Sequence, residues 1–168
     1  MNHSDQLLEK ILQFILEIGL PVSFDAVPDD KEFLPGICIS NGGLIIDKAT
    51  LQYPGDILHE AGHLAVVTSA ERKSIDGILE TDTDKSAGEE MMAIAWSYAA
   101  AVHLGIDPLI VFHENGYKGS GATIAKNFSD GRYFGLPMLQ WVGLTLDNKN
   151  ALQKNQKPYP NMIAWVRP

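Results

Sequence analysis

The chain carries a single cysteine, Cys38, in 168 residues. One thiol closes no internal disulfide, so the fold must stand on packing, and a reducing, cytoplasmic setting is expected. Long apolar runs are also missing. No stretch approaches the roughly 20 residues of a membrane-spanning helix. The opening MNHSDQLLEK is polar and acidic, without the basic start and apolar centre of a signal peptide. Positive charge is scarce: 13 Lys and Arg against 21 Asp and Glu leave a net charge of −8. With no basic run to neutralise a row of phosphates, neither nucleic acid nor a membrane is an expected partner. Repeats, low-complexity tracts and long linkers are absent as well. What is present is 45% hydrophobic and 20% charged, at a length suited to one globular domain with a real core.

Residues 4 to 18 have the spacing of an amphipathic helix, with Ser4 as cap, Leu7, Leu8, Ile11, Leu12, Ile15, Leu16 and Ile18 on the apolar face, and Gly19 and Pro21 as stops. Residues 22 to 27 fit a short strand. GICISNGGLIID, residues 36 to 47, reads as two strands around an Asn41-Gly42-Gly43 turn. A helix is expected from Pro54, with Asp56 in its first turn, through LHEAGHLAVV to about residue 69. Residues 70 to 85 are polar loop, with a short strand near Ile75 to Leu79. Ser86-Ala87-Gly88-Glu89 has the form of a capping box and opens a helix that ends at Gly105. Leu109 to Phe112 fits a strand or a continued apolar segment. Shorter helices are expected over 121 to 129 and 136 to 146, then an irregular tail pinned by Trp165. This mixture predicts a single α+β domain over residues 1 to 168, a small sheet packed on several helices.

Chemistry concentrates in His59-Glu60-Ala61-Gly62-His63. On a helix, that spacing sets both imidazoles on one face, one turn apart. Two nitrogens can then reach one zinc ion at about 2.0–2.1 Å each. Glu60 is turned aside from the metal and is free to take a proton from water, which a zinc centre makes acidic enough to attack a carbonyl near neutral pH. Gly62 costs a helix roughly 1 kcal/mol against Ala, so the position is expected to need the space. The bland alternative is a pair of hydrogen-bonded histidines. Two of only five histidines bracketing a glutamate in an apolar helix favour metal.

A catalytic zinc needs a third protein ligand. A third histidine two turns on is absent, since residue 66 is Val and residue 69 is Ser. The next helix offers Glu89 and Glu90. The capping box occupies Glu89, whereas Glu90 leads a stripe of Ala93, Ile94, Ser97 and Ala101, small enough for close contact with the histidine helix. Glu90 is therefore favoured, with Glu89 as rival. Glu80, Asp82 and Asp84 form an acidic loop that fails as a calcium site, because the required Gly is Ala87 and the twelfth residue is Ala93.

HEAGH followed by a helix bearing EEMMAIAWSYAA resembles the gluzincin group of zinc peptidases, and within it the small bacterial ImmA/IrrE type. The likeness spans roughly residues 37 to 104. It implies a zincin-like domain, His59 and His63 as ligands, Glu60 as base, and a third ligand from the Glu89–Glu90 pair. Residues 106 to 168, with HENGYKGSG and GRYFGLPMLQWVGL, depart from any pattern of that group.

His113 and Tyr117, in a Gly-rich segment, are candidate oxyanion donors, weighed against an ordinary surface loop. His103, near a helix end, reads as structural. Gly119-Ser120-Gly121 reads as a helix cap before it reads as an anion site. Trp96, Phe134, Met138, Trp141 and Trp165 are expected in the core or a pocket wall, and Cys38 as an inert buried thiol. The function expected is a zinc-dependent peptidase that hydrolyses amide bonds of a peptide or protein substrate. The alternative is a catalytically idle zincin-like module that acts by binding a partner. Oligomeric state is open on either reading.

Overall fold

The computed structural model describes residues 3–27, 34–77 and 84–168. Helix α1, His3–Glu17, buries Ile11, Leu12, Phe14 and Ile15. Phe14, not Leu16, completes its inner face, and Leu16 is exposed. The chain then forms β1, Val22–Phe24, β2, Ile37–Ser40, and β3, Gly43–Ile46. The hairpin forms where Asn41-Gly42 was expected to turn it, because both residues take positive φ, 48° and 74°. Strand order is β1-β3-β2, with β1 parallel and β2 antiparallel to β3. Ile37, Ile39, Leu44 and Ile46 bury their side chains against the helices.

Helix α2, Asp56–Val66, carries the HEAGH motif and lies against α4, Asp84–Leu104, over most of its length. Both are rich in fully buried small residues: Ala61 and Ala65 on α2, and Ala93, Ala95, Ala99, Ala100 and Ala101 on α4. Between them α3, Ser69–Arg72, is one short turn. The expected strand at 75–79 does not appear over Ile75–Gly77. That stretch instead docks on the hairpin, with Gly77 N–H donating to Ile39 O at 2.9 Å and Gly42 N–H to Ile75 O at 2.9 Å. Residues 78–83, including Glu80 and Asp82, lie outside the described residues.

The remaining chain wraps this pair. Leu109 to Phe112 is not a strand; Pro108–Ile110 forms a 3-10 turn capped by Asp107. Tyr117–Gly119 forms another. Then follow α5, Gly121–Ser129, α6, Leu136–Trp141, and α7, Asn148–Lys154. Helix α6 stops well short of residue 146, and α7 was not foreseen. Ser120 precedes α5 without making a side-chain cap bond. The tail is irregular but fixed: Trp96 Nε1 donates to Trp165 O at 2.8 Å, and the Trp165 ring packs edge-on against Phe14 and Trp96. Trp141 departs from expectation: at the end of α6 it is 89% exposed. No described helix is long and apolar enough to cross a membrane.

A capping box forms at Thr68–Glu71. Helix α4 is already running at Asp84, which puts Ser86 inside its first turn. At α3, Thr68 N–H donates to Glu71 Oε2 at 3.1 Å and Glu71 N–H to Thr68 Oγ1 at 3.3 Å. The Lys85 ammonium, 2.9 Å from Glu71 Oε1, and then the Thr68 hydrogen bonds hold the Glu71 carboxyl down at about 2. Its folded pKa lies below the ordinary 4.5, so its stabilisation is complete above about pH 4.5 and is lost as pH falls towards 2. Urea midpoints measured across this window should fall with acid in the wild type and fall less in Glu71→Gln.

Candidate metal centre

Helix α2 has no side-chain cap at its start; Gly55 stands there, and the backbone of Ile110 and Val111 presses where a Cβ would be. One turn in, the helix presents His59 and His63, with ring planes 89° apart and centroids 4.7 Å apart. Gly62 faces Ala93 of α4: a Cβ there would meet Ala93 O at 2.9 Å and Ala93 Cα at 3.2 Å. The close approach sets Glu90, one turn before Ala93, beside the two imidazoles. Glu90 Oε2 is 3.0 Å from His63 Nε2 and 3.7 Å from His59 Nε2, and the two Nε2 atoms are 3.2 Å apart. Among the described residues, His59, His63 and Glu90 form a group able to hold a metal ion. Ligand atoms about 2.0–2.1 Å from a tetrahedral zinc stand about 3.3 Å from one another, and the three observed separations bracket that value.

The charges in this group are mutually adjusted. Burial, then the neighbouring His63, push His59 down to about 3, against the pull of Glu90. A neutral imidazole is the form that donates a lone pair to a metal. For His63, burial also works downward, but the hydrogen bond to Glu90 and the charges of Glu60, Glu90 and Glu89 prevail and raise its pKa. For Glu90, burial works upward, and the hydrogen bond from His63 with both histidine charges outweighs it, leaving the carboxyl lowered. Glu89 is turned to Lys85, 3.6 Å away, and does not join the group.

Glu60 is partly buried. Burial raises its carboxyl to about 7; His63 opposes this, and Asp56 and Glu90 reinforce it. A carboxyl poised there can exchange a proton with water near neutrality.

His113 and Tyr117 are both brought to α2, though into contacts that the sequence did not suggest. His113 Nε2 pairs with Asp56 Oδ1 at 3.0 Å, and the Tyr53 ring stacks on His113 at 3.9 Å. Asn115 Nδ2 donates to Tyr53 Oη at 2.7 Å. Asp56 is 3% exposed, and its Oδ2 and His113 Nδ1 are buried without a hydrogen-bond partner. Burial raises the Asp56 carboxyl, while the hydrogen bond and charge of His113 restrain it. Tyr117 Oη lies 2.9 Å from His59 Nδ1. Asp56 and Tyr53 were missed as site residues. The available signal was a carboxylate in an apolar helix, four residues before Glu60 and on its face. His103 stays apart, packed near Phe14 and Trp165.

The separation of α2 and α4 is set at Gly62. Gly62→Val forces its side chain onto the Ala93 backbone, which flexible neighbours cannot relieve. A loss of about 1–3 kcal/mol in urea unfolding is expected, the usual cost of overpacking.

No protein-family model matches the chain, and neither a curated protein nor a solved structure of detectable similarity was found.

Proposed function

We propose that the chain is a zinc-dependent peptidase of zincin-like type, with His59, His63 and Glu90 as metal ligands and Glu60 as general base. The observation that carries this reading is the convergence of the two imidazole Nε2 atoms and the Glu90 carboxylate, 3.0–3.7 Å apart, from two helices. The donor set suits zinc: two neutral nitrogens and one carboxylate leave a fourth position open, the pattern of catalytic sites, whereas structural sites use four protein ligands. When bound, zinc supplies Lewis acidity, which polarises a carbonyl and acidifies water.

The residues of the chain supply the rest. Glu60 takes the proton from the attacking water and can return it to the leaving amine, which needs one group that changes protonation state near neutral pH. Burial of that carboxyl provides the poise. Glu90 offers negative charge to the cation while Ala93 and Gly62 keep its helix close.

Purified protein should bind about one zinc per chain in elemental analysis, a single tetrahedral site being proposed. His63→Ala and Glu90→Ala should lose it, and Glu89→Ala should keep it. A chain that takes up no zinc when supplied in excess, or an effect confined to Glu89→Ala, overturns the ligand set.

Turnover is tested separately with a peptide library as substrate. Glu60→Gln should retain zinc and the fold while cleavage falls by about 10²–10⁴, the usual contribution of a general base. Equal cleavage by wild type and Glu60→Gln removes Glu60 from the mechanism. A zinc-loaded wild type that cleaves nothing in the library favours the idle, partner-binding module.

A further inference from the structure

Tyr117 makes a contact that the reading above does not use. Its hydroxyl oxygen lies 2.9 Å from His59 Nδ1, the ring nitrogen on the opposite side of the imidazole from the Nε2 that faces His63 and Glu90. The two rings meet edge to face, with centroids 5.3 Å apart, and Phe112 packs against the phenol at 5.2 Å.

The backbone that delivers this hydroxyl is unusual. Tyr117 and Lys118 both take positive φ, 54° and 53°, and Gly119 follows at 79°. Bulky side chains avoid the left-handed region, so two in succession persist only where the surroundings hold them. Those surroundings are on both sides of the turn. Before it, His113 is tied to Asp56 at 3.0 Å and stacked on Tyr53, itself bonded to Asn115 at 2.7 Å. After it, Gly121 lies against the Phe112 and His113 carbonyls so closely that no Cβ fits. The segment is pinned to the first turn of α2, and the strained residue is the one that reaches the histidine.

We propose that Tyr117 is a positioning residue for the metal site: its oxygen accepts the Nδ1–H of His59, fixing the tautomer in which the Nε2 lone pair is free for a divalent cation. An imidazole without a partner at Nδ1 exchanges between two tautomers, and only one of them can bind metal through Nε2. A hydrogen bond at the far nitrogen selects that tautomer, holds the ring plane and raises its basicity as a ligand. This proposal rests on the zinc-site reading, and it gives Tyr117 a task other than oxyanion stabilisation.

The test uses metal-free protein labelled with ¹⁵N at histidine, with the His59 signals assigned by their loss in His59→Ala. Long-range ¹H–¹⁵N spectra should show His59 protonated at Nδ1 in the wild type. In Tyr117→Phe, which keeps the ring and its packing, the Nε2–H form should become populated while the amide spectrum stays native. Zinc affinity, measured by competition with a chromophoric chelator, should fall by about 10–100-fold in Tyr117→Phe, the range for loss of such a partner. Tyr133→Phe, a hydroxyl deletion in the aromatic cluster with Tyr98 and Tyr159, should change neither readout.

Wild-type His59 in the Nε2–H form overturns the proposal, and this holds even if Tyr117→Phe fails to fold. So does a folded Tyr117→Phe with unchanged tautomer and zinc affinity. A wild type that binds no zinc overturns the metal reading itself, whereas tight binding indifferent to Tyr117→Phe overturns only the role of the tyrosine.

Discussion

Everything at the candidate site depends on how closely α2 and α4 approach. The histidines come from one helix and Glu90 from the other, so the group exists only while the two backbones stay near. Gly62 packs closely on Ala93: a Cβ at residue 62 would already stand 2.9 Å from a carbonyl oxygen. A glycine inside a helix lowers its stability by roughly 1 kcal/mol, yet burial of the surrounding alanines and of Ile57, Leu58 and Leu64 offsets this many times over. The helix pair thus exchanges local propensity for interhelical distance. That distance decides whether a carboxylate sits 3.0 Å from an imidazole or falls out of reach.

Such proximity has an electrostatic consequence. Partly buried ionisable groups favour their neutral forms, and burial heads the influences on His59, Glu60, His63, Glu90 and Asp56 alike. The responses differ because the partners differ. His63 and Glu90 relieve each other through one hydrogen bond, so burial loses for both. For His59 the charge of Glu90, and for Glu60 that of His63, opposes burial without outweighing it, so each is driven towards its neutral state. A neutral histidine that can donate a lone pair and a carboxyl poised near 7 therefore arise from one cause. A divalent cation among these groups would reward the negative charges that the fold has assembled at a cost in desolvation.

Local chemistry was legible in the sequence, and long-range chemistry was not. The hairpin could be read because Asn41-Gly42 admits positive φ and the flanking residues are β-branched or apolar. The histidine helix could be read because a four-residue spacing has one geometric meaning on a helix. Glu90 was singled out partly because Ser86 was expected at the start of α4, but the helix is already running at Asp84, and the matching pattern at Thr68–Glu71 forms a capping box. What separated Glu90 from Glu89 was the small-residue stripe that follows it, ending in contact with Gly62. Helix α7 escaped notice because only Ala151 is buried on it, which leaves no periodic face, although Asp147 caps it by accepting from Asn150 N–H at 2.7 Å. Asp56–His113 and His59–Tyr117 are 57 and 58 residues apart in sequence, and no local pattern links them.

The segment beyond residue 105 departed from the family pattern in the sequence, yet together with Arg72 it holds both ends of the motif helix. At the C-terminal end of α2, Leu64 O accepts from Arg72 Nε at 2.6 Å, Ala65 O from Arg167 N–H at 2.8 Å and Val67 O from Arg72 Nη2 at 3.0 Å. These carbonyls have no partner within their own helix, and guanidinium groups suit the negative end of its dipole. The Arg72 guanidinium also bonds Arg167 O, which locks the tail to the helix end. At the N-terminal end, the backbone at Ile110 and Val111 packs on Gly55, and His113 pairs with Asp56. A helix held only along its flank could slide or rotate against α4, and a displacement of one ångström would undo contacts of 3.0–3.7 Å. Anchors at both termini oppose that movement on either side of the stretch where His59, Glu60 and His63 stand. The residues at 110–113 and at Arg167 therefore act as a frame for the motif helix.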